Sequence, residues 1–293
     1  MAALLAMTPR EFAHWQNKQT DNVSNKIVPS AQNWLLLLTF DGACYHGWQV
    51  QPDFPTIQAT LEKAIQRLTG ETVIVNGAGR TDSGVHALNY TANFNLTSKN
   101  INTTEKWCSA LNAVLPDDIV VKSVKTVSAD FHARHNAIGK RYRYLISNHS
   151  YQSPFTTNKS WQIDQILDVE IMKRVAEVLI GEHDFSAFRS SNCSSPNTVK
   201  AIREISIGKS YFQNSILQIE IEANSFLQHM VRIITGTLVD AAQARLSCSD
   251  VKNALNKGDR NLAGCTAPAH GLYSLKVIYP EGLVSWPPEV IDN

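Results

Sequence analysis

The chain has 293 residues, 43% of them hydrophobic and 18% charged, a content that can bury sizeable cores and a length that suits two medium domains better than one small one. Its 27 Lys and Arg against 26 Asp and Glu leave a formal charge of +1, which excludes an overall basic field; a nucleic-acid partner would need locally clustered charge. Five scattered cysteines (Cys44, Cys108, Cys193, Cys248, Cys265) offer no C-x-x-C pair for zinc or redox work and fit a reducing cytoplasm.

Residues 1–33 are polar with no sustained period, and read as a tail with one short helical stretch at Phe12 to Trp15. "MAALLAM" is interrupted by Pro9, Arg10 and Glu11 before a secretory cleavage pattern could form, and the longest apolar run, "WLLLLTF" from Trp34 to Phe40, is too short to span a bilayer. A soluble, cytoplasmic chain with no membrane partner is expected. Trp34 to Phe40 instead reads as a buried strand. Ile57, Leu61, Ala64, Ile65 and Leu68 then recur at helical spacing, and Gly70 closes that helix. Strands follow at Thr72 to Asn76 and Thr91 to Leu96, then a helix at Thr104 to Leu115 stopped by Pro116, then a strand at Ile119 to Val124.

The second half repeats that order. Arg141 to Ile146 reads as a strand, Asp168 to Ile180 as a helix ended by Gly181, and Ile202 to Ile207 with Ile216 to Glu222 as a strand pair. A helix at Ser225 to Ala242 is followed by a shorter one capped by Ser249 and a strand at Tyr273 to Tyr279. Polar stretches at His149 to Ser160 and Arg189 to Asn197 read as surface loops. The expected fold is α+β: two tandem β-α-β-β-α-β (ferredoxin-like) domains at 34–130 and 131–283, with largely antiparallel sheets flanked by helices and a tail at 284–293.

"NGAGRTDSGVHAL" (Asn76 to Leu88) carries three glycines with Arg80, Asp82 and His86. Gly79 to Gly84 has P-loop spacing, but Val85 and His86 stand where lysine and serine or threonine must reach phosphate and magnesium. Gly77 and Gly79 begin a G-x-G-x-x-G pattern whose sixth position is Asp82, a charge that repels pyrophosphate. The plain alternative is a glycine turn with a surface Asp–Arg pair. His132 and His135 lack an H-E-x-x-H frame and His183–Asp184 lacks partners, so no metal is expected. Ser83 sits outside a G-x-S-x-G elbow.

From Asn224 to Val239 the only formal charge is Arg232, amid Leu227, Val231, Ile234 and Leu238 on one stripe and Phe226, Met230 and Ile233 beside it. A charge in a helix buried nearly all round needs a partner anion. A lone aspartate in a glycine loop fits that need.

These residues resemble a known family. "GAGRTDSGVHA" (Gly77 to Ala87) is similar to the G-R-T-D-x-G-V-H-A motif of the tRNA pseudouridine synthase A (TruA) family, and "FDGACYHGWQVQ", "DFHARHNAIGKRYRY", "HDFSAF", "HMVR" and "GLYSLKVIYP" resemble its other motifs in order, from about Trp34 to Pro280. The resemblance implies the pseudouridine synthase fold and conversion of uridine to pseudouridine at about positions 38 to 40 of the tRNA anticodon stem-loop. It implies Asp82 as the essential carboxylate, Tyr142 stacked on the target uracil, Arg232 paired with Asp82, and Arg80 holding RNA and the flipped base. It also implies a homodimer with no metal and no cofactor. Asn89 and Tyr90 stand where a glycine–glutamine pair is common, and the leading extension is longer than usual.

Pseudouridylation breaks the bond from ribose C1′ to uracil N1 and rejoins the base through C5, so no redox or energy cofactor is required. One carboxylate suffices, whether it adds to the base, attacks the sugar or removes a ribose proton to give a glycal. The base must leave its stack, and an aromatic face such as Tyr142 recovers part of that cost. Arg80 and "GKRYR" (Gly139 to Arg143) supply local positive charge, with Arg141 and Arg143 as substrate-binding candidates on one face of a strand and Tyr142 and Tyr144 on the other. A non-catalytic RNA-binding protein of the same fold and, more remotely, a phosphate-binding hydrolase are the alternatives. For Tyr142 the alternative is an ordinary sheet aromatic.

Overall fold

The computed structural model describes residues 31–97, 101, 103–151, 153–210 and 216–291. Most of the expected tail, including the helical stretch at Phe12 to Trp15, lies outside them. The first half runs β1 (Gln32–Phe40), α1 (Ile57–Thr69), β2 (Asn76–Gly77), β3 (His86–Leu96), α2 (Thr104–Asn112) and β4 (Ile119–Val127). The second runs β5 (Gly139–Asn148), β6 (Trp161–Ile163), α3 (Val169–Leu179), β7 (Gly181–Asp184), β8 (Val199–Lys209), β9 (Ile216–Ala223), α4 (Met230–Ala242), α5 (Cys248–Lys257) and β10 (Leu272–Ile278), and a short α6 (Pro288–Ile291) follows.

The strands form one ten-stranded sheet in the order β4-β1-β3-β10-β5-β9-β8-β7, with β2 against β3 and β6 against β5. Within the first half the main strands lie fourth, first, third, second, and β5, β8, β9 and β10 repeat that order, all antiparallel. The tandem α+β expectation thus holds as topology. The halves share a sheet through a parallel seam of two residue pairs, Tyr273↔His86 and Ser274↔Ala87. The His86 ring stacks on Tyr273 with centroids 4.7 Å apart, and its Nε2 lies 3.2 Å from the carbonyl oxygen of His270.

Each half has its own core. Trp34, Leu36, Leu38 and Phe40 of β1 face α1 and α2, meeting Ile57, Leu61, Ile65, Trp107 and Leu111. Leu35, on the other face, packs with Phe131, Ala133 and Tyr279, which is why the apolar run alternates in direction but not in burial. In the second half α3, α4 and α5 cover β5, β8 and β9.

Several boundaries differ from the sequence expectation. The strand expected at Thr72 to Asn76 shrinks to Asn76–Gly77, because Val73 and Val75 are buried in the core without a ladder partner. The helix expected from Ser225 starts at Met230, because His229 takes a left-handed backbone (φ 64) that no continuous helix allows. Ser247 rather than Ser249 caps α5, in a reciprocal capping box with Asp250. The segment expected as a tail from 284 is partly anchored: Val284 and Trp286 pack beside Tyr279, and Asn89 Nδ2 donates to the carbonyl of Ile291 at 3.1 Å.

Candidate active site

The glycine loop between β2 and β3 is held from below by the loop after β1. The Trp48 N–H donates to the Thr81 carbonyl at 3.2 Å, and the Gly84 N–H donates to the Tyr45 carbonyl at 3.2 Å. That approach requires Gly47: its φ is +83°, and a Cβ there would lie 2.3 Å from the Thr81 oxygen. The loop is thereby fixed without bulky side chains of its own, and Asp82 projects into a cleft of about 690 Å³ at the seam between the halves.

Across the cleft stands α4, in which every residue except Arg232 is buried. Arg232 Nη1 donates to Asp82 Oδ2 at 3.0 Å, while its Nε donates to the Ala267 carbonyl at 2.8 Å, so the guanidinium is held at two points. The loop carrying Ala267 reaches the helix because Gly236 leaves room for the passing chain; a Cβ there would lie 1.9 Å from the Cys265 oxygen. The left-handed backbone of His229 turns its imidazole to the same carboxylate, Nε2 to Oδ2 3.4 Å. Burial holds the His229 pKa below the ordinary histidine value, with Arg232 and Arg260 acting in the same sense against the pull of Asp82, so its neutral form dominates near pH 7.

Tyr142 comes from β5, where it pairs with the seam residue Ser274, and Phe226 meets its ring edge-on with centroids 5.1 Å apart. Burial first, then the charge of Asp82, push its phenol up to about 12. Asp82, Tyr142 and Arg232 therefore line one cleft, and Arg80 stands exposed at its rim.

Arg141 and Arg143 are not brought there. Alternation along β5 points them to the opposite face, where β9 sets glutamates directly across in the register pairs Arg141↔Glu222 and Arg143↔Glu220. Arg143 Nη2 meets Glu220 at 2.7 Å, and Arg141 meets Glu204, Glu220 and Glu222 at 2.5, 3.3 and 2.9 Å. Of the GKRYR charges, only Lys140 shares the cleft with Tyr142. Of the cleft groups, His229 and Arg134 escaped the sequence expectation, and Lys140 entered it only as part of the GKRYR charge. For Lys140 the signal was present, since it lies two residues before Tyr142 and so on the same strand face. Among the described residues no cluster of three or more His, Cys, Asp or Glu forms a metal site; the His132 and His135 rings are 4.2 Å apart with no third ligand.

The sequence model of one family, tRNA pseudouridine synthase, matches residues 37–136 and 175–280, which carry Asp82 and Arg232 respectively. The chain belongs to the tRNA pseudouridine synthase family. Within that family it is similar to the protein named tRNA pseudouridine synthase A from Thermoanaerobacter sp. (strain X514), 46% identical over 248 residues, 85% of this chain and 100% of the relative. The proteins of the same name from Acetivibrio thermocellus and Geotalea daltonii are 44% and 39% identical over the same shares. A solved structure titled a Cbf5-Nop10-Gar1 complex superposes weakly over 83% of this chain and 58% of its own (TM-score 0.27, 10% identity) and contributes nothing to the assignment. Tyr142 falls between the two segments that match the tRNA pseudouridine synthase model.

Proposed function

We propose that this chain isomerises uridine to pseudouridine in tRNA, with Asp82 as the reacting carboxylate. The observation that carries this reading is the Asp82–Arg232 pair in an open cleft, in a chain whose family acts on tRNA uridines. An RNA-binding protein has no use for an anion in its groove, because a carboxylate repels phosphate; that weighs against a non-catalytic binder. In the reaction the C1′–N1 bond breaks, C1′ bonds to C5, the C5 proton is lost and N1 gains one. Atoms balance within the nucleotide, so Asp82 needs no cofactor or metal. Arg232, anchored on the Ala267 carbonyl, aims the carboxylate. Tyr142, its phenol protonated at rest, offers a ring face to the flipped uracil, while Arg80 at the rim holds RNA and the displaced base.

In this reading the unit at 34–130 brings the Asp82 loop and the unit at 131–283 brings Tyr142 and Arg232. The targets are uridines at about positions 38 to 40 of the anticodon stem-loop, the working form is a cytoplasmic homodimer, and the pairing of two clefts offsets the low net charge of +1. Among the described residues no helix is long and apolar enough to cross a membrane. The test is tritium release from tRNA transcripts labelled at uridine C5, since only bond formation at C5 frees that label. Transcripts without uridine at positions 38 to 40 should release none; release from them undiminished would reject the site assignment, and no release from any tRNA would reject the activity.

A further inference from the structure

The smaller cavity beside the cleft, about 190 Å³, is lined by Trp48, Ile74 and His132 among others, and it shares Gly79, Arg80 and Arg134 with the Asp82 cleft. Those three residues form the wall between the two spaces. A polymer with one unit in the cleft and the next in the smaller cavity must lay its backbone over that wall.

Charge along the wall is one-sided. Arg80, Arg134, Lys140 and Arg232 line the two cavities against a single carboxylate, Asp82, which Arg232 already occupies. Among the described residues Arg134 and Lys140 enter no ion pair and no side-chain hydrogen bond, whereas Arg141, Arg143 and Arg203 nearby are all matched to glutamates. Lys140 is half-buried and its ammonium lies against the loop backbone: a Cβ on Gly79 would sit 2.5 Å from Nζ. Two unmatched cations side by side at an opening, one of them shielded from water, are costly unless an anion joins them.

We propose that Lys140 and Arg134 together seat one backbone phosphate of the RNA, the one next to the nucleotide that enters the Asp82 cleft. This rests on the RNA reading above and adds where the strand is gripped. Burial, with the charge of Arg134 adding to it, pushes the Lys140 amine down to about 8, the condition of a cation waiting for a counter-charge. Arg80 then remains for the displaced base.

The test is the salt dependence of tRNA binding for the wild type, Lys140→Met, Lys140→Arg and Arg134→Gln. A lost phosphate contact lowers the slope of log affinity against log salt by about 0.7 to 0.9. Lys140→Met and Arg134→Gln should each do so, weaken binding about tenfold at low salt, the scale of a hydrogen bond to a charged group, and raise KM far more than they lower kcat. Lys140→Arg should keep the wild-type slope. A merely structural lysine would leave the slope untouched in Lys140→Met, and that result overturns the proposal. Arg134 is exposed, so Arg134→Gln carries the same decision if the methionine variant does not fold; an unchanged slope there overturns it equally. Failure of the functional reading is seen separately, as absence of tritium release by the wild type, since the slopes are read from binding alone.

Discussion

Arg232 lies 3.0 Å from Asp82 although 150 positions of sequence separate them, and the guanidinium is pinned from behind by the Ala267 carbonyl. The pair is not sealed: the side chains keep 15% and 26% exposure. Water therefore screens part of the attraction, and the cost of about 3 to 5 kcal/mol for breaking a fully buried pair is an upper bound. Asp82→Ala and Arg232→Ala should each destabilise, and the double variant less than their sum, with a coupling of about 0.5 to 3 kcal/mol. Unfolding free energies that add within about 0.3 to 0.5 kcal/mol would show that the two residues do not depend on each other.

Asp82→Asn keeps the size of the side chain and a hydrogen-bond acceptor for Arg232 while removing the anion. Tritium release should vanish and tRNA affinity should stay within a few-fold of wild type. Turnover in this variant near the wild-type rate would remove Asp82 from the chemistry.

Tyr142→Phe should bind and stack as before, so a large loss in kcat would mean that the hydroxyl carries a proton; Tyr142→Leu should slow the reaction in either case. The phenol also makes a pH prediction. Because its folded pKa is raised to about 12, its contribution to stability is complete below the ordinary tyrosine value near 10 and is lost as pH rises towards 12. The absorbance difference between wild type and Tyr142→Phe should show no tyrosinate from this residue below about pH 11.

Gly47→Ala sets a Cβ 2.3 Å from the Thr81 oxygen at a backbone of φ +83°. The loop carrying Asp82 must then shift, so kcat should fall by a larger factor than the population of folded protein does. Wild-type kcat in a destabilised but folded variant would show that the prop beneath the loop is unimportant for the reaction.

Much of this architecture is legible in residue spacing. Ile57, Leu61 and Ile65 mark α1, and Thr56 and Gly70 close its ends in the structure. The lone charge of Arg232 in an apolar segment announced a buried helix seeking an anion, and the helix has that one unburied residue. Where spacing failed, a local conformation or a distant contact decided. Nothing in a histidine codon marks the left-handed turn that delays α4 to Met230. Ser247 and Ser249 both look like caps, but only Ser247 stands three residues before Asp250. β6 and β7, three and four residues long, are too short to show a period. Alternation placed Arg141 and Arg143 correctly on one face, but which face meets the cleft depends on Glu220 and Glu222, more than seventy residues away.

The seam between β3 and β10 bears on how the molecule comes together in time. Each half carries its own hydrophobic core, and the joint between them is two backbone pairs backed by a small cluster in which Leu35 and Ala78 meet Phe131, Ala133 and Tyr279, all of it made between residues far apart in the chain. Contacts of such long sequence separation are slow to close, and a cluster smaller than either core opens before the cores do. On refolding, far-ultraviolet signal from strands and helices should therefore return before turnover does. In rising denaturant turnover should be lost while both cores persist, so that an idle enzyme is not yet an unfolded one.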